Sequence, residues 1–230
     1  MSDKTELAQL ETGDLAELTL GLNFLFWSLL VFVMALTETV ATPVVRSFPV
    51  MFLGAGGLGA VRGAYRLQRV RALGAAWRHQ TRALFVASLL AAYLSIFYLL
   101  WRQASAEPYL LAHALAFFGM IIVMLGLLCP PVLHLARAAG RRNLGRQCGV
   151  FGTVAVGLLV PAYVTVVRTL VTAARQGHDP LLVLQLWLAR TSPGAALVIL
   201  LPVALLLSLV WTAKDLVLKA LLAKSAPATQ

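Results

Sequence analysis

Charge is what this chain has least of: 12% of its 230 residues are Asp, Glu, Lys or Arg, against 60% hydrophobic. A water-soluble domain carries roughly a quarter charged residues, so an ordinary soluble globule is excluded. Acidic residues are the scarcest, nine in all, with none between Glu38 and Glu107. No apolar run carries paired carboxylates, a His-Glu metalloprotease pair, a nucleophile elbow or an Asp cluster, which intramembrane catalysis needs, and an enzyme is disfavoured. Cysteine is limited to Cys129 and Cys148. The threading below puts both at a reducing face, where small buried thiols are expected rather than a disulfide or, with His134, a metal site. His113 and His134 are 21 residues apart on one expected helix. At about 31 Å along the axis they are too distant to ligate one haem, which leaves His79 with His134 as the pairing open to it. No cofactor or metal is expected.

The apolar residues are gathered into runs of bilayer length, and the mean hydropathy is +0.84. Leu18 to Leu36 is a full-length apolar helix, followed by a polar break from Thr37 to Pro43. Residues 48–61 form a second, short candidate, about 21 Å against a hydrocarbon core of about 30 Å. Residues 83–101, 109–128, 148–167 and 195–213 complete the set. Pro130 and Pro131 are expected to bend or end the fourth helix. Leu181 to Ala189 is apolar but too short to span; with Asp179 and Pro180 as a start signal, it reads as a helix lying in the membrane interface. Asp14 and Glu17 resemble a capping box at the first long helix. The resulting expectation is an all-α, polytopic membrane protein: an acidic N-tail (1–17), a bundle of six transmembrane helices in three hairpins plus the interfacial helix (18–213), and a basic C-tail (214–230).

Basic residues number 19, of which 15 are Arg, and the pI is near 10.5. They fall in short connectors, where they set topology and meet anionic lipid headgroups rather than nucleic acid. With six spans and a cytoplasmic N-terminus, 14 basic residues lie inside and five outside, as the positive-inside rule requires. A five-span threading with residues 48–61 not crossing and an outer N-terminus scores the same, so charge does not choose between them. Both put the C-terminus in the cytoplasm, and the six-span form buries the uncharged second stretch. The expected location is a bacterial inner membrane, the source being read from the excess of Arg, Ala and Leu.

Gly54-Ala55-Gly56-Gly57-Leu58-Gly59 matches the dinucleotide fingerprint in form. It lacks the preceding strand and the acid about 20 residues on. Small residues four apart, Ala55, Gly59 and Gly63, instead suit close packing of membrane helices. A weak 65-residue periodicity, with Arg71-Ala72-Leu73-Gly74 echoed by Arg137-Ala138-Ala139-Gly140, is low-complexity similarity. Two functional classes follow. The first is a non-enzymatic membrane subunit or scaffold, homo-oligomeric or joined to a partner subunit, touching anionic headgroups or a cytoplasmic partner through Arg62, Arg66, Arg69, Arg141 and Arg142. The second is a small transporter or channel for a cation, proton or small polar solute. It would use an outer cavity lined by His113, Pro161 and Pro202, with Glu38, Glu107 and Asp179 at its mouth. A haem or quinone redox protein is a third reading.

Overall fold

In the computed structural model, residues 6–41, 48–191 and 193–225 are described, with side chains for 7–34, 51–191 and 200–225. Of the described residues 91% are helical, and no strand occurs among them. The elements are α1 (Glu6–Gln9), α2 (Thr12–Ala41), α3 (Phe48–Arg69), α4 (Gly74–Gln103), α5 (Pro108–Ala138), α6 (Arg142–Arg175), α7 (Pro180–Arg190) and α8 (Pro193–Ser225).

The helices outrun the apolar stretches that announced them. Hydropathy marks only what lipid must cover, whereas Arg, Gln, Ala and Leu sustain a helix beyond it. The basic connectors therefore shrink to residues 70–73 and 139–141, which keep Arg71 and Arg141, and their other arginines lie on helices. Pro130 and Pro131 do not end α5, which continues to Ala138. They remove the donors to two carbonyls, while Leu128, Val132 and Leu135 around them are buried in the core. The expected polar break begins too early as well: α2 continues through Thr37 and Glu38 to Ala41, two residues before Pro43.

Among the described residues, five helices are long and apolar enough to cross a membrane: α2, α4, α5, α6 and α8. The sixth span expected at 48–61 is not one of them. It belongs to the 22-residue α3, whose second half carries Arg62, Arg66 and Arg69. Even so, α3 is wedged between α2 and α4. A Cβ placed on Gly63 would meet Gly21 O at 2.9 Å and Leu25 N at 3.0 Å, and one on Gly56 would meet Ser28 O at 3.3 Å. Rising numbers on α3 meet falling numbers on α2, so the two are antiparallel and in near-backbone contact. On its other side, a Cβ on Gly57 would lie 3.0 Å from that of Ala92 on α4.

The same reading orders the rest. Trp77 and Tyr98 of α4 meet His134 and Phe117 of α5. Cys148 and Tyr163 of α6 donate to the carbonyls of Cys129 and Leu115 of α5. Lys214 and Trp211 of α8 meet Asn23 and Phe26 of α2. Each neighbouring pair is antiparallel, and α2, α3, α4, α5, α6 and α8 close into a ring. Polar groups on the buried face of α4 bond within their own helix: Thr81 to Trp77 O, Ser88 to Leu84 O and Ser95 to Ala92 O. The helix interfaces thus stay apolar while leaving no hydroxyl stranded.

The described residues of the expected tails, 6–17 and 214–225, are largely helical. Leu7, Leu10 and Leu15 are buried, α1 packs on α5 and α8, and α2 begins six residues before the apolar run. Asp14 therefore lies inside the first turn of α2 rather than capping it. At the other terminus α8 runs to Ser225, with Val217 buried and Lys224 Nζ donating to Leu10 O. The short helix appears as expected: α7 starts at Pro180, and Asp179 Oδ1 accepts from Leu181 N at 2.9 Å. Its 11 residues reach only about 16 Å.

Candidate functional site

The ring has a basic end. The N-terminus of α2, the turns at 70–73 and 139–141 and the C-terminus of α8 all lie there, because neighbouring helices are antiparallel. Among the described residues, thirteen basic side chains belong to it, against Arg102, Arg168, Arg175 and Arg190 at the opposite end. Within that end the arginines differ in what they face. Arg66 pairs with Glu17 at 3.0 Å and Arg69 reaches the same carboxylate at 3.6 Å, while Arg62 and Arg66 both lie over the Phe24 ring. Glu17 thus ties α2 to α3 instead of capping its own helix. On the far side, Arg141 and Arg142 line a 620 Å³ hollow that also contains Asp215, itself paired with Lys219 at 2.7 Å.

A concavity of 910 Å³ lies at the α3–α4 turn. Tyr65, Gln68 and Arg69 form one stripe of α3, at i, i+3 and i+4. Ala75, Arg78, His79 and Arg82 form one stripe of α4, at i, i+3, i+4 and i+7, with Arg71 on the turn between them. No acidic residue is among its described lining residues. Among the described residues, only Arg69 of its four guanidinium groups has an acidic partner, Glu17, and that one is off the cavity.

The sequence builds this hollow rigidly. Gly74 takes φ +89°, a left-handed conformation that other residues resist, and this lets a four-residue turn reverse the chain. Val70 and Leu73 plug the turn into the core. Trp77, fully buried, donates from Nε1 to Leu67 O at 3.0 Å, clamping the start of α4 to the end of α3. The first turn of α4 holds no acid, and its cap residue makes no side-chain hydrogen bond. The partial positive charge of the helix N-terminus therefore adds to that of the arginines. Chemically, the arrangement offers guanidinium forks and free backbone N–H groups to an anion, and nothing that would break a bond.

The residues singled out from sequence are placed variously. Gly59 and Gly63 do face α2, but Ala55 is exposed, and Gly56 takes its place on the packing face. The fingerprint-like glycines lie inside one helix, α3. His113 is half-buried among aromatic rings, stacked on Phe97 at 4.5 Å, with Nδ1 2.8 Å from Tyr109 O. Pro161 is exposed on α6 and Pro202 buried on α8. Their neighbours Ala162 and Val203 line a 270 Å³ cavity whose other walls are Leu, Ile, Val, Phe, Tyr and Trp side chains of α2, α5, α6, α7 and α8. His113, Pro161 and Pro202 are not among its lining residues. Glu107 is exposed at the start of α5, and Asp179 is engaged as the α7 cap. The side chain of Glu38 lies outside the described residues. Cys129 and Cys148 are free thiols on facing helices. Among the described residues, no three His, Cys, Asp or Glu side chains cluster as metal ligands do.

Arg71, Arg78 and Arg82 were not singled out by sequence reasoning beyond their connector, and His79 only as a haem-ligand partner for His134. The available signal was their i, i+1, i+4 recurrence in a stretch without acid, which becomes a helical stripe only once α4 is known to begin at Gly74. The chain matches no family model, and comparison with curated proteins and with solved structures likewise returns no match.

Proposed function

We propose that this protein is a non-enzymatic membrane subunit or scaffold whose helical ring is the anchor and whose basic end is the working face. The observation that carries this is the acid-free cavity of Arg69, Arg71, Arg78 and Arg82 on a turn fixed by Trp77 and Gly74. Rigid presentation of unpaired charge costs self-repulsion, and an anionic partner offsets it. By the positive-inside rule that end is cytoplasmic, with both termini there and α3 counted as a sixth crossing alongside α2. Antiparallel contact of α3 with residues 21–32, well inside the apolar run of α2, supports that count.

The test is purification from the source membrane in mild detergent, with identification of co-purifying chains. Specific chains should be retained by the wild type and lost from Arg71→Gln/Arg78→Gln/Arg82→Gln. A partner-free homo-oligomer that moves a solute into proteoliposomes would replace this reading with transport.

A further inference from the structure

The basic cavity is also shaped and charged for one class of small ligand. We infer that it seats the headgroup of an inner-leaflet phospholipid ending in a phosphate monoester; this rests on the reading of the basic end as the working face. Three observations carry it. Arg71, Arg78 and Arg82 have no acidic partner among the described residues, although Glu17 neutralises the neighbouring Arg66. A phosphodiester brings one charge, whereas a monoester brings about −1.5 to −2 at neutral pH and three acceptor oxygens. Three unpaired guanidinium groups, each a planar fork of donors, match the latter.

The second observation is the start of α4, uncapped and without acid in its first turn, opening beside the arginine stripe. Helix N-termini concentrate backbone donors and positive potential on an anion. The third is depth. Arg82 lies two turns into α4, immediately before the apolar run that begins at Ala83, so the cavity reaches from the turn down to the level where hydrocarbon starts. A headgroup seated there keeps its acyl chains beside the exposed apolar residues Val86, Leu89 and Leu90 of the same helix. A soluble anion makes no use of that continuity.

Native mass spectrometry of the full-length protein in neutral detergent, titrated with phosphatidic acid, phosphatidylglycerol or phosphatidylcholine, reads the preference directly. Phosphatidic acid should bind about tenfold or more tightly than phosphatidylglycerol, and Arg71→Gln/Arg78→Gln/Arg82→Gln should abolish that margin. Arg175→Gln at the opposite end should leave it unchanged. The triple variant should also be no less thermostable than wild type without lipid, because it loses repulsion and no described bond. Equal binding of the two anionic lipids by wild type, or a preference surviving in the triple variant, would overturn the inference. So would inorganic phosphate at millimolar concentration displacing the lipid, which would make the ligand a soluble phosphate. If the triple variant loses a co-purifying chain while wild type shows no lipid preference, the scaffold reading stands and the lipid inference falls.

Discussion

Substituting single glycines of α3 by alanine separates close helix contact from helix propensity. Alanine is about 1 kcal/mol more favourable than glycine inside a helix, wherever it is placed. Gly54 has nothing within 4 Å of where its Cβ would stand, so Gly54→Ala records that gain alone. At Gly63 the Cβ would meet Gly21 O at 2.9 Å, Leu25 Cγ at 2.9 Å and Leu25 N at 3.0 Å. Two of these are backbone atoms, which give way only if α2 and α3 separate, and forcing an extra carbon into a filled interface costs about 1–3 kcal/mol. The propensity term cancels between the variants, so Gly63→Ala should fall below Gly54→Ala by that amount, a factor of at least five in the folding equilibrium. Gly59 tests the mechanism. Its Cβ would fall on Ser28 Oγ, the end of a side chain that can rotate, so Gly59→Ala should lie between the two and Ser28→Ala should restore it. The assay is unfolding of the purified protein in mixed micelles of increasing SDS fraction, followed by tryptophan fluorescence. Gly63→Ala equal in stability to Gly54→Ala would refute the claim that α3 touches α2 at backbone distance.

Trp77→Phe should retain the fold but lose about 1 kcal/mol in the same assay, because it keeps most of the buried ring and removes the indole N–H bond to Leu67 O, which keeps only Val70 N–H at 3.3 Å; a variant as stable as wild type would mean that the turn is held by Val70 and Leu73 alone. Reporter fusions after Ala139 and at the C-terminus should signal cytoplasm, and fusions after Ala106 and Gln176 the opposite side, following the thirteen-to-four division of basic residues. An outer signal after Ala139 would invert the threading.

What the sequence determined by itself was the solvent and the class of structure. Sixty per cent hydrophobic residues in runs of bilayer length leave a helical membrane protein as the economical solution, since each backbone group in lipid must find its partner within its own segment. The short helix was equally legible, because Asp179 and Pro180 are local signals acting over one turn. Pairing across the chain was not. Glu17 looked like half of a local cap, yet its partners Arg66 and Arg69 lie some 50 positions away, brought near only because α2 and α3 run antiparallel. The glycine run announced close packing, but which glycines face α2 depends on the helix's rotation about its axis, a property of three packed helices rather than of one sequence window. The basic cavity is likewise tertiary. Composition supplied arginine without acid, while the left-handed Gly74 and the buried Trp77 decided that Arg71, Arg78 and Arg82 converge on one hollow instead of dispersing along a flexible loop.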